Sequence, residues 1–164
     1  MTVRVRRADP DDLPALLALS EELDRLQREW RLFTPRPGVM DEVRAKYRQA
    51  ITRSDVLVAL AEDDGEPVGM AFAEASNPSR LSDTRALEIS GVIVREDRRR
   101  EGIGRRLVEE ALRFAWEHGF AWVTLRTFGP NRDALRFWES LGFMPRVVEL
   151  VAPVDDVTRR LREA

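Results

Sequence analysis

Residues 92–104 read Val-Ile-Val-Arg-Glu-Asp-Arg-Arg-Arg-Glu-Gly-Ile-Gly. An apolar strand runs into an arginine-laden turn, and two glycines then open a helical pattern. A glycine-rich turn at a helix start leaves several backbone N–H groups without acceptors, at the positive end of the helix dipole. Such a place suits a phosphate group. Arg98, Arg99, Arg100, Arg105 and Arg106 add charge around it. The same residues also read as a tight turn with solvated arginines. The spacing is not that of a dinucleotide fingerprint, because Leu107 stands where Gly or Ala is needed. It is not a Walker loop either, since no lysine follows the glycine.

Composition narrows the remaining chemistry. The chain has 164 residues, 43% hydrophobic, with a net charge of −2. That size and balance point to one domain over 1–164, long enough to bury a core. A nucleic-acid binder would be strongly basic. In the arginine run, acidic residues (Glu96, Asp97, Glu101) interleave and no aromatic stacking platform is present. Neither nucleic acid nor a membrane is therefore expected as a partner, and a cytoplasmic location is expected. With no cysteine, disulfides, thiolate catalysis and Cys-ligated zinc are excluded. A lone histidine, His118, supplies neither a multi-His metal site nor the usual Ser-His-Asp triad, so metal-free chemistry is expected.

These candidates need elements to hold them. Val3–Arg7 alternates apolar and charged residues as a strand does. Asp9-Pro10-Asp11-Asp12 carries the signals of a helix start, with Asp9 as cap and Pro10 in the first turn. Leu13, Leu16, Leu17, Leu23 and Leu26 form that helix's apolar face, and Thr34–Gly38 ends it. A second helix turns Val39, Val43, Tyr47 and Ile51 inward. Strands follow at 56–61 and 67–74, joined by the turn Glu62-Asp63-Asp64-Gly65. Asn77–Thr84 reads as a loop and Ala86–Val94 as a central strand. Gly102–His118 is an amphipathic helix with Ile103, Leu107, Ala111, Leu112 and Ala115 on one side. A buried strand is expected at Ala121–Thr127, a helix at Arg132–Leu141, a strand or strand pair at Phe143–Val151 and a short helix at 155–162. The order gives a mixed α/β sheet with helices on both faces.

Arg99-x-x-Gly102-x-Gly104 after Val92-Ile93-Val94 resembles the acyl-CoA pyrophosphate loop of the GNAT N-acetyltransferase superfamily. Asn131-x-x-Ala134-x-x-Phe137-Trp138-Glu139-x-x-Gly142-Phe143 resembles that superfamily's second signature, and the order of elements along nearly the whole chain is similar too. The resemblance implies the acyl-CoA N-acyltransferase fold, a mostly antiparallel sheet of six or seven strands. It implies acetyl-CoA as co-substrate. The strand Val92-Ile93-Val94 would splay from its neighbour to admit pantetheine, with backbone groups of Val92 and Val94 on its amides. Val92 N–H could also face the thioester oxygen. The turn Arg100, Glu101, Gly102, Ile103, Gly104, Arg105 would hold the pyrophosphate, Arg99 or a neighbour would reach the adenosine-side phosphate, and Asn131 would contact the pantetheine arm. Gly91 stands where a bulge would bend the strand, or merely where packing is close.

An amine with a pKa of about 10.4 is almost wholly protonated at neutral pH and needs a base. Glu88 resembles the general-base glutamate of histone-type members; alternation would put it on one face with Ser90 and Val92. It also reads as a strand-end glutamate in a salt bridge. Glu74 is a weaker alternative base. Trp138 stands where many members carry an acidic tyrosine, and indole has no usable acid proton; Tyr47 is not assigned that task. Trp138 packs on the cofactor arm or in the core, and Trp30 and Phe33 line an acceptor mouth or simply pack. The expected reaction is acetyl transfer to a primary amine, of a small molecule or a protein, in a ternary complex. The alternative is an acyl-CoA-binding sensor of weak activity. Family members are often homodimers, and no interface is legible in this chain.

Overall fold

A computed structural model describes residues 3–31, 34–77 and 83–163. Two compact units divide it, Met1–Phe128 and Gly129–Ala164.

The first unit holds a sheet in the order β1-β2-β3-β4-β5: Val3–Arg7, Val56–Asp63, Glu66–Ser76, Ala86–Val94 and Trp122–Leu125. The first four strands pair antiparallel, and β4 and β5 pair parallel across the helix between them. Five strands are present among the described residues, not six or seven, because residues 143–151 carry no strand. A strand exists only as part of a hydrogen-bonded pair, so apolar alternation there is insufficient. At the β2–β3 turn Asp64 and Gly65 both have positive φ (51° and 83°), the geometry an Asp-Gly hairpin requires.

Helices α1 (Leu13–Gln27) and α2 (Val39–Ile51) cover one face of this sheet, and α3 (Ile103–Glu117) the other. Before α1, Asp9 caps a single 3-10 turn, Pro10–Asp12: its carboxylate accepts from Asp11 N–H at 2.9 Å, and Asp12 accepts from Asp9 N–H at 2.8 Å. Under α1 and α2 lies a core built of Leu16, Leu17, Leu19, Tyr47, Val58, Leu60, Met70, Phe72 and Ile93. Leu19, absent from the sequence-derived face, belongs to it. On α3 the buried residues are Ile103, Leu107, Val108, Ala111, Phe114 and Ala115. Leu112, expected with them, is exposed. Gly69 brings α3 close to the sheet: a Cβ there would meet Ile93 O at 2.8 Å and Leu107 Cδ1 at 3.2 Å.

Strand β5 is shorter and less buried than the sequence suggests, with Trp122 exposed. At the end of α3, His118 stacks on Phe114, with Nδ1 2.9 Å from Phe114 O and Nε2 3.1 Å from Ser54 O. The second unit carries α4 (Arg132–Ser140) and α5 (Val154–Glu163).

Candidate active site

Pairing register decides which way β4 points its side chains. Glu74 of β3 faces Glu88, and Ala73 faces Ile89, but Phe72 faces Gly91. Ser90 is thus an extra residue, a bulge. Cross-strand partners share a face, so the bulge resets the alternation. Glu88 therefore lies on the face of Gly91 and Ile93, under α1 and α2, and Val92 lies on the α3 face. This corrects the expectation that Glu88, Ser90 and Val92 share a side. The bulge sits one residue before Gly91, whose own Cβ position would lie 3.7 Å from Leu23 Cδ2.

The parallel partner strand stops at the same point. Strand β5 pairs with Ala86, Leu87, Glu88 and Ile89, and among the described residues no strand continues on that side of Ser90–Val94. Arg95 N–H donates to Val68 O on β3 at 2.9 Å. Antiparallel alternation then turns the backbone of Ile93 to β3 and that of Val92 and Val94 to the open side. Ile93 is itself buried in the core. On the open side, Val94 O accepts from Arg99 Nε at 3.2 Å.

Beyond β4 the chain makes a 3-10 turn, Glu96–Arg98, and reaches α3 through two left-handed residues, Arg100 (φ 67°) and Gly102 (φ 81°). Glycine adopts this conformation freely; arginine does so at a cost, and strain of this kind gathers at functional sites. No side chain caps α3. The first helix amide with an acceptor is that of Arg106, bonded to Gly102 O at 3.2 Å. Among the described residues, nothing accepts from the amides between Arg99 and Arg105.

The five arginines divide sharply. Arg98 is tied to Glu101 (2.9 Å) and to buried Asp63 (2.9 Å), which hold its guanidinium charged well beyond the ordinary arginine range. Arg106 donates to Val3 O at 2.7 Å. Arg99 spans Val94 O and, at 4.0 Å, Glu22. Arg100 and Arg105 are exposed and have no partner among the described residues. Residue type alone does not separate the five; the contacts of Arg98 with Asp63 and of Arg106 with Val3, both distant in sequence, set those two apart.

Glu88 is half-buried, and its carboxylate has no partner among the described residues. Glu74 opposite it is engaged by Lys46 Nζ at 2.6 Å. Tyr47 is buried, edge-on to Phe72, with its hydroxyl 3.4 Å from Ser20 Oγ; burial raises its pKa. Trp30 lies 6.3 Å from Phe128, centroid to centroid, and Phe33 falls outside the described residues. In the second unit, Asn131 caps α4 through Oδ1, accepting from Ala134 N–H at 3.1 Å. That leaves its Nδ2 donors for other use. Trp138 is half-buried and meets Phe137 and Phe143 edge-on at 4.9 and 5.2 Å.

The acetyltransferase (GNAT) family profile matches residues 22–143. The chain belongs to the GNAT acetyltransferase family. An uncharacterized N-acetyltransferase of Archaeoglobus fulgidus is 30% identical over 138 residues, 84% of this chain and 90% of its own. A probable N-acetyltransferase of Mycobacterium tuberculosis is 27% identical over 155 residues, covering 86% and 79%. Among solved structures, a transcriptional regulator from Bacillus halodurans C-125 superposes with a TM-score of 0.72 at 27% identity, over 93% of this chain and 99% of that one. An aminoglycoside N-acetyltransferase in complex with CoA gives 0.75 at 17% identity, over 92% and 95%, a likeness of fold. The mixed sheet with helices on both faces is the family's architecture, and this GNAT chain is an acyltransferase. No helix among the described residues is long and apolar enough to cross a membrane.

Proposed function

We propose that this GNAT chain transfers an acetyl group from acetyl-CoA to a primary amine by direct attack in a ternary complex. One observation carries the reading: β4 loses its parallel partner after Ile89 and leads straight into the uncapped, arginine-flanked start of α3. Strand backbone and turn amides form an interrupted run: the open side of Val92 and the amides of Arg100–Arg105 are unused among the described residues, while between them Val94 O is held by Arg99 Nε and the amides of Arg95, Glu96 and Arg98 are bonded internally. An elongated molecule with amides at one end and a diphosphate at the other matches that run. A solved neighbour of this fold is described in complex with CoA, which supports the match.

In this reading Val92 and Val94 pair with the pantetheine amides, and Val92 N–H supports the oxyanion that develops on the thioester. The amides of Arg100, Glu101, Gly102, Ile103, Gly104 and Arg105 hold the diphosphate. Arg100 and Arg105 supply unspent charge, and Arg99 lies over the strand end. Glu88 takes the proton of the acceptor ammonium, directly or through water. The freed amine attacks the acetyl carbon, the C–S bond breaks, and CoA leaves as a thiolate. Trp138 has no acid proton and Tyr47 is turned inward, so the thiolate takes its proton from solvent or from another group.

The test is thiol release from acetyl-CoA across a panel of amines. Glu88→Gln is expected to lower kcat by about 100-fold, the range for loss of a general base, and to flatten the acid limb of the pH profile. Full activity of that variant across pH would remove Glu88 from the role. Binding of acetyl-CoA with no amine ever acetylated would favour the sensor.

A further inference from the structure

The chain's single lysine lies beside the candidate base. Lys46 Nζ is 2.6 Å from Glu74 Oε1 and 4.5 Å from the centre of the Phe72 ring. Phe72, Glu74 and Glu88 share the α1/α2 face of the sheet, Glu74 and Glu88 as direct partners in the register. A carboxylate beside an aromatic face is a known way to hold an ammonium group, and here one is seated on it. Two carboxylates opposite each other repel, and one lysine offsets only half of their charge. The Lys46–Glu74 pair is also partly exposed, with side-chain exposures of 52% and 34%, so another cation can displace it.

We propose that Glu74 and the Phe72 face form an ammonium subsite beside Glu88, filled by the chain's own Lys46, and that the acceptor is an amine bearing a second cationic group. This rests on Glu88 being the base. The acceptor's distal ammonium displaces Lys46 and remains protonated on Glu74. Its proximal ammonium gives one proton to Glu88, and the resulting amine forms the new C–N bond as the C–S bond breaks. Directly opposed side chains in a sheet stand about 5 Å apart at Cβ, which suits a short α,ω-diamine.

The lone lysine makes the proposal observable without turnover. Protein labelled with 15N-lysine gives one side-chain ammonium resonance. 1,3-Diaminopropane should move that signal to the position of a free lysine at a concentration at least tenfold below that needed with propylamine. In Glu74→Gln the signal should start at the free position and stay there. Equal response to the two amines, or no response to the diamine, overturns the subsite. In kinetics, Glu74→Gln should lower the diamine-to-monoamine ratio of kcat/KM at least tenfold, and Lys46→Met should raise it. A ratio unmoved by Glu74→Gln also overturns the proposal. Absence of acetylation of either amine would instead count against the reaction, and the lysine signal would still decide the subsite.

Discussion

Two helical starts in the first unit are built in opposite ways. At Asp9–Asp12 the chain closes on itself: two carboxylates cap two amides, and Arg6 grips Asp12 through both nitrogens (2.6 and 2.9 Å) while also pairing with Glu62. Every strong donor there has an acceptor. At Arg99–Arg105 the chain leaves amides open, places no side chain at the cap, and keeps Arg100 and Arg105 unpaired among the described residues. The first arrangement spends its charge on stability. The second keeps it for something outside the chain. Charge alone does not mark a binding site in this protein; charge without an internal partner does.

The largest expected effect breaks the open start. Gly102 has φ 81°, a conformation a β-branched residue adopts only with strain. Gly102→Val should raise the KM for acetyl-CoA by about 100-fold by re-aiming the amides, with circular dichroism unchanged. The next effect tests the closed start. Arg6 holds the Asp12 carboxyl below its ordinary pKa, mainly by hydrogen bonding. A lowered folded pKa gives stability that is present above the unfolded value and lost as pH falls through the folded one. Asp12→Asn should therefore cost about 2 kcal/mol at neutral pH in urea unfolding. The gap to wild type should close as pH falls below the ordinary carboxylate range, and KM for acetyl-CoA should not change.

Smaller effects sharpen the contrast. Arg100→Ala and Arg105→Ala should each weaken CoA binding about fivefold, roughly one charge-assisted contact, with a shallower salt dependence. Asp9→Ala should cost about 1 kcal/mol of stability, the usual worth of an N-cap, and leave the KM for acetyl-CoA alone. If Asp9→Ala changed CoA affinity as much as the arginine variants do, the division between the two starts would fail.

Much of the positioning framework was legible from residue order. Strands Val3–Arg7 and Ala86–Val94 lie where alternation and apolar runs predict them, because each signal is local. The cap at Asp9 is local as well. What escaped depends on partners far along the chain. Ser90 bulges because β3 pairs around it, and only that register reveals the face of Glu88. Arg98 looks like its neighbours until Asp63, thirty-five residues away, proves to hold it. Phe143–Val151 has the composition of a strand and none of the pairing among the described residues. Val92 and Val94 carry roles through family resemblance, and the strand-free side of their backbone is visible only once β5 is seen to end at Leu125.

A backbone amide titration with CoA bears most directly on the open start of α3. Addition of CoA to 15N-labelled protein should shift the amide resonances of Arg100–Arg105 most strongly, with those of Asp9–Asp12 unmoved. Saturating CoA that leaves the Arg100–Arg105 resonances in place would contradict the account.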